Sequence, residues 1–409
     1  MDLILIIIML DKVALIYADQ YQMYNFGPDH PLRPLRLKLT YDLMEKLNLL
    51  KHERIEIKKP IMATREQIER VHDPEYVDVV KKLSENPNDN SIQPYLYGLG
   101  PGDNPIFKGM YEASALVCGA SILAADLVWK NDDIMIGFNP AGGLHHAQKK
   151  RASGFCIFND IAVAIHHLKS LKKDIRIAYL DIDCHHGDGV QWLFYDDPNV
   201  LTISFHESGN FLFPGTGHSN EVGEGLGKGY SINFPLLPNT SNRMFVKLFR
   251  YCVPKILDAY APDVLFTQLG VDMHYNDPLT QMGVSISAYR DIAQTLYTCT
   301  HDYCKNRWIA VGGGGYLMTV VPRAWSVFLA RMLDYNLENE LPSEWVEQVK
   351  IEAPREEVPY LLWDRDDVTN VQLLSNPELT KKMIAYNKSL RVLCDSEFIP
   401  NISNNKKKD

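Results

Sequence analysis

The 409-residue chain lacks most of the features that assign a protein to a class by composition alone. Its seven cysteines, at 118, 156, 184, 252, 299, 304 and 394, are odd in number and include no CxxC pair. That argues against both a disulfide framework and a thiolate zinc site, and makes a reducing cytoplasm the expected setting. No basic block interrupts a net charge of −9, and Lys406-Lys407-Lys408 is too short to change the balance. Neither nucleic acid nor a membrane surface is therefore an expected partner. The apolar run Leu3 to Leu10 is too short to span a bilayer, has no basic segment before it and meets Asp11-Lys12 at once, so it reads as an extended start before the first strand. Internal repeats and low-complexity linkers are also missing. Gly223, Gly225, Gly227 and Gly229 surround Lys228, but Gly229 stands where a Walker loop requires Ser or Thr, which leaves a flexible connection rather than a phosphate site.

What the chain does contain is alternation. Strand-like runs recur at 12–18, 134–138, 175–180, 200–205, 264–269 and 308–311, with helical patterns such as 110–129, 160–171 and 244–260 between many of them. This predicts an α/β fold: a single open, mostly parallel sheet with helices on both faces. Several of the runs lead straight into polar or glycine-rich loops, so a site is expected in the loops at the C-terminal ends of the strands. From 341 onward the chain turns charged and proline-containing. Residues 341–409 read as a C-terminal appendage packed on the core and frayed at its end, and residues 1–340 as one domain, with 1–11 as the extended start.

The densest chemistry lies in Asp181-Ile182-Asp183-Cys184-His185-His186-Gly187-Asp188-Gly189, three carboxylates and two imidazoles directly after the run Ile175 to Leu180. A turn has no need of two adjacent histidines. In an extended chain Asp181, Asp183 and His185 begin on one face, which lets two of them reach one ion. An Asp/His/Asp set with open positions suits a catalytic Zn²⁺ or Fe²⁺. Hydrolysis of an amide on such an ion also needs a proton acceptor, a proton donor and an oxyanion donor. His145 and His146, after a Gly-Gly turn, supply the first two, and Tyr316, after four glycines, supplies the third. Asp183, His185 and Asp272 then hold the ion, leaving Asp181 and Asp188 to accept from imidazole N–H groups and fix their tautomers.

Six ordered segments carry a resemblance: Pro140 to His146, Gly154 to Asp160, Asp181 to Gly189, Phe213 to Gly217, Gln268 to Asp272 and Gly312 to Tyr316. Together they resemble the motifs of the zinc-dependent histone deacetylase superfamily, over about residues 12 to 335. His274 to Leu279 and the segment Tyr97 to Pro105 bring the chain nearest the prokaryotic acetoin-utilization deacetylase branch. The resemblance implies an arginase/deacetylase-like fold and hydrolysis of N6-acetyl-lysine in proteins, with acetylpolyamines as the alternative substrate and an acetyl-lysine binding protein as a non-catalytic one.

It further implies Zn²⁺ on Asp183, His185 and Asp272, and His146 as the principal proton-transfer group with His145 as its partner. Gly154, Phe155, Phe213 and Leu279 would wall an acetyl-lysine tunnel, Asp103 would hold the substrate backbone at the rim, and Arg36 would lie in an internal acetate channel. A K⁺ site would involve Asp181, Asp183, His185, Ser204 and Phe205. The expected partner is an acetylated protein, with acyl-CoA synthetase-like metabolic enzymes suggested by the branch. Cys184 departs from the family pattern, and its thiol is expected to pack away from the ion.

Overall fold

The computed structural model describes residues 11–365 and 376–405. The run Leu3 to Leu10 and the lysines at 406–408 lie outside the described residues. Eight described strands form one sheet: β1 (Lys12–Ile16), β2 (Ile55–Lys58), β3 (Ile134–Asn139), β4 (Ile177–Asp181), β5 (Val200–Glu207), β6 (Ser231–Leu236), β7 (Val264–Gln268) and β8 (Trp308–Val311). Their spatial order is β2-β1-β3-β8-β7-β4-β5-β6, and every pairing is parallel. The sheet is thus wholly rather than mostly parallel.

Strands such as IAYLD and VLFTQ are buried along their whole length, because helices cover both faces and leave no solvent side to alternate toward. The two strands not anticipated from sequence are both edges. In β2 the sequence IEIK is short and half polar, and in β6 the sequence SINFPL contains a proline, which a central strand would not tolerate.

The principal helices are α1 (Leu35–Lys46), α2 (Arg65–Ile68), α3 (Pro74–Glu85), α4 (Met110–Lys130), α5 (Asp160–Leu171), α6 (Asp188–Leu193), α7 (Asn242–Tyr260), α8 (Ile286–Tyr303), α9 (Val321–Met332) and α10 (Ser343–Glu352). One layer is built around α4, which packs on α3, α5 and β3, and another runs through α7, α8, α9 and α1. By length and composition α4 would cross a membrane, but most of it is buried in the core.

Tryptophans tie α9 to the end of β7 and α10 to α1. Trp325 Nε1 on α9 donates to the Leu269 carbonyl (2.8 Å), and Trp345 Nε1 on α10 donates to Leu39 O on α1 (3.0 Å), with both rings fully buried. Beyond α10, a helix at Pro377–Leu393 packs against α7. The glycine-rich connection is not the loose segment expected. Gly229 N donates to Val222 O (2.6 Å), and a Cβ at Gly223 would lie 2.1 Å from Gly227 O, so the loop is folded tightly on itself.

Candidate metal and acyl-transfer site

Four adjacent strands at the sheet centre, β3, β8, β7 and β4, each end in a loop that supplies side chains to one buried cluster. Asp183 and His185 follow β4, Asp272 follows β7, Gly312 to Tyr316 follow β8, and His145 and His146 follow β3. Because β4 stops at Asp181, the alternation expected to continue to His185 is broken there. Asp181 turns to His145 instead of joining the other two.

Ligand atoms of Asp183, His185 and Asp272 all lie within 4.8 Å of one another, and all three residues are buried. His185 Nδ1 is 3.1 Å from Asp183 Oδ1 and 2.9 Å from Asp272 Oδ2. The carboxylates are aimed by fixed donors: Gly314 N (2.7 Å) and Gln268 Nε2 (2.7 Å) to Asp183 Oδ2, and Cys184 N (2.7 Å) to Asp272 Oδ1. Two glycines make room, since a Cβ would stand 2.3 Å from Asp183 Oδ2 at Gly270 and 2.3 Å from Asp272 Oδ2 at Gly314. Two carboxylates and one imidazole, buried with open positions, fit a catalytic divalent ion. Burial pushes the Asp272 carboxyl up, helped by the Asp183 charge, to about 6. Burial acts the same way on Asp183, but His145 and His185 outweigh it and hold that group low. Such a crowded pair is a place for added positive charge.

Above this group stand two imidazole–carboxylate pairs. His145 Nδ1 donates to Asp181 Oδ2 (2.8 Å) and His146 Nδ1 to Asp188 Oδ1 (2.6 Å), while the two Nε2 atoms are 2.9 Å apart. Burial alone would depress His145, yet Asp181 and Asp183 overcome it and raise its pKa to about 9. Burial and then His145 push His146 down to about 4. Of the two imidazoles, His145 is therefore the one the surrounding carboxylates make readier to hold a proton. Tyr179 Oη donates to Asp181 Oδ2 (2.5 Å) and fixes that carboxylate from below.

Tyr316 lines a small inner cavity of about 20 Å³ together with Arg36, Leu32, His145, His146 and Asp183. The residue is half-buried, and its phenol is pushed well above its ordinary pKa, first by loss of water around it and then by Asp272 and Asp183, so it remains a hydrogen-bond donor. Arg36 is buried, and its Nη1 donates to Gly313 O (2.7 Å) and Gly315 O (2.9 Å), which braces the glycine run carrying Tyr316. Phe155 meets Tyr316 edge-on at 5.8 Å and Phe213 meets His146 at 5.1 Å. Gly154 lies between those walls, because a Cβ there would sit 2.4 Å from His146 Cδ2 and 3.0 Å from Phe213 Cε1. Leu279 is half-buried, held by its N–H to Asp277 Oδ1 (3.0 Å).

Asp103 is exposed, outside the inner cavity; its carbonyl is 3.3 Å from His30 Nε2, whose ring rests on Phe155. Asp181 pairs in register with Ser204, whose hydroxyl lies 2.8 Å from His206 Nδ1, and the Phe205 ring stacks on Phe234. Cys184 is fully buried with its thiol facing Glu207 Oε2 (3.7 Å) rather than the ligand group.

The histone deacetylase domain matches residues 30–332. The chain belongs to the histone deacetylase family. It is 42% identical over 345 residues to acetoin utilization protein AcuC of Bacillus subtilis (strain 168), covering 83% of this chain and 87% of that one. The AcuC protein of Staphylococcus aureus (strain MRSA252) is 39% identical over the same shares. The crystal structure of an HDAC homolog from Aquifex aeolicus superposes with a TM-score of 0.77 at 30% identity, covering 87% of this chain and 95% of that chain. The eight-stranded parallel sheet is that of this fold, and the chain is a metal-dependent deacetylase by family.

Two members of the deacetylase site were not singled out from sequence. Asp277 accepts from Tyr316 N (3.0 Å) and Leu279 N (3.0 Å), and burial, followed by the Asp272 charge, pushes its pKa up to about 8. Gln268 orients Asp183 and also receives Gly270 N on its Oε1 (2.7 Å). Both lie inside motifs that were visible, but their partners, backbone amides for Asp277 and the Asp183 carboxylate with Gly270 N for Gln268, are ones that no spacing rule reveals.

Proposed function

We propose that the chain hydrolyses the acetyl amide of N6-acetyl-lysine in proteins, releasing acetate and free lysine, with Zn²⁺, or alternatively Fe²⁺, on Asp183, His185 and Asp272. The observation that carries this reading is the convergence of two histidine–aspartate pairs and the half-buried Tyr316 phenol on that ligand group, beneath a mouth walled by Phe155 and Phe213. A divalent ion bound there would supply a Lewis acid for the carbonyl and lower the pKa of a water.

The protein's own groups do the rest. Asp188 takes the Nδ1 proton of His146 and steadies the imidazolium that forms when His146 Nε2, turning from its 2.9 Å contact with His145 Nε2, accepts the water's proton. Nε2 then returns the proton to the departing lysine amine. His145, anchored by Asp181, holds the neighbouring ring in place. Tyr316 Oη donates to the oxyanion, and Asp277 and Arg36 hold its loop in place. The aromatic walls take the lysine methylenes, worth about 0.8 kcal/mol for each CH₂ removed from water.

A protein substrate is favoured over an acetylpolyamine by exposed apolar side chains beside the mouth. Phe213 and Phe211 are 44% and 57% exposed, a surface suited to a polypeptide flank rather than a second cation. Asp103 completes the rim as a backbone acceptor. A K⁺ ion beside Asp181, Asp183 and Ser204 belongs to the same reading, supported by the β4–β5 register. Seven free, buried cysteines support a reducing cytoplasm. The test is kcat/KM for an acetyl-lysine peptide beside acetylspermidine. A higher value for the peptide supports the proposal, and a higher value for acetylspermidine replaces it with polyamine deacetylation.

A further inference from the structure

Between the N-terminal parts of α7 and α8, a groove of about 730 Å³ gathers Arg243, Lys247, Arg250, Arg290 and Arg391. One carboxylate, Asp291, lines it, and that group is shared between Arg250 (3.5 Å) and Arg290 (3.3 Å). Arg243 and Lys247 have no ion pair among the described residues. In a chain of net charge −9 this concentration of like charge around a single carboxylate contrasts with places where exposed basic groups are matched, such as Lys38 with Asp42 and Glu352, Arg65 with Glu69 and Asp78, and Lys46 with Glu344. Like charges brought together raise the free energy of the surface unless an anion joins them.

Three further features shape what would join them. Arg243, Lys247 and Arg250 recur at helical spacing along one side of α7, so their charges line a single track. The first turns of two helices of 19 and 18 residues line the same groove, adding positive helix ends to it. The floor is apolar, with Val246 and Ala288 both buried, and Arg391 is held over the Tyr251 ring at 5.3 Å. The volume far exceeds a single phosphate and falls within the range of small-molecule pockets.

We infer that this groove is a second ligand site, separate from the deacetylase centre, and that it takes a small organic anion carrying two or more phosphates, of nucleoside diphosphate size. Several cations acting together would discriminate a polyphosphate from a lone phosphate, and the arginines would engage it bidentately.

The experiment is calorimetric titration of the full, metal-loaded chain with ADP and with inorganic phosphate at low salt, repeated on R243E/K247E and on K149E/K150E, which reverses charge at a different basic surface. Arg243 and Lys247 are exposed, so unchanged deacetylase turnover serves as the check that R243E/K247E remains folded. The expected result is saturable ADP binding that weakens with salt, much weaker phosphate binding, a loss of at least about 10²-fold in R243E/K247E from two missing charge-assisted contacts, and little change in K149E/K150E. No saturable ADP binding, inorganic phosphate binding as tightly as ADP, or equal losses in the two reversals would each overturn the inference.

Discussion

Replacing Gly314 by alanine tests the ligand geometry without touching a ligand. A Cβ there would stand 2.3 Å from Asp272 Oδ2 and 2.9 Å from Asp183 Oδ2, both inside ordinary van der Waals contact. Asp272 must retreat by about 1 Å to restore a normal separation. The backbone cannot give way instead, because Gly314 N donates to Asp183 Oδ2 at 2.7 Å and would lose that bond. Metal–ligand distances tolerate only about 0.2 Å, so a displacement several times larger weakens the site. We expect Gly314→Ala to lower metal affinity by at least about 10- to 100-fold, the scale on which disturbing the groups that orient ligands acts. Competition against a chelating dye reads the affinity directly. The metal-free variant should keep a cooperative thermal transition, while the rise in Tm on adding Zn²⁺ shrinks. An affinity equal to that of the unaltered protein would refute the reasoning.

Tyr316→Phe removes the oxyanion donor and leaves the ring, so kcat should fall roughly 10²- to 10³-fold with metal affinity intact; an unchanged kcat would remove Tyr316 from the mechanism. Asp188→Asn keeps an acceptor for His146 Nδ1 but deletes the charge that steadies its imidazolium. Steady-state kinetics should show kcat down about 10- to 100-fold with KM little altered. Asp364 joins the end of the described core to the site loop, accepting from Arg323 (2.8 Å), Ile286 N (2.8 Å) and His274 (2.9 Å). Burial pushes its carboxyl up, but His274 and Arg323 outweigh that and hold its pKa well below the usual range. Its contribution is therefore complete above the unfolded value of about 3.9 and lost as pH falls below it. Asp364→Ala should cost about 3 kcal/mol in urea denaturation at pH 7, with the gap to the unaltered protein narrowing below about pH 4; parallel pH profiles would contradict this.

The buried group of Asp183, His185 and Asp272 and the neighbouring His145 and His146 were legible because each is a polar residue in a loop following an apolar strand, where function is the economical reason for its presence. Parallel strand order was not contained in that pattern, and neither was the adjacency of β3, β8, β7 and β4, which turns four separate loops into one site. The edge strands β2 and β6 were missed because one is half polar and the other carries Pro235, the traits that suit an edge. The role of Asp277 was hidden for a different reason: its partner is the amide of Tyr316, 39 residues away. Spacing rules describe side chains sharing a face, whereas this contact is made by a loop folding over another. Asp181, expected as an acceptor for an imidazole N–H rather than as a ligand, takes His145 Nδ1 as its donor where the strand ends.

The central claim is that this chain hydrolyses an acetyl amide on a divalent ion held by Asp183, His185 and Asp272. Its most direct test is the yield of acetate and free lysine from an acetyl-lysine peptide, measured with the metal-loaded protein, after chelation and after Zn²⁺ is restored. The account predicts one acetate for each lysine freed, loss of both on chelation and recovery of both with Zn²⁺. Turnover that survives complete removal of the metal, or none from the Zn²⁺-loaded protein, would contradict it.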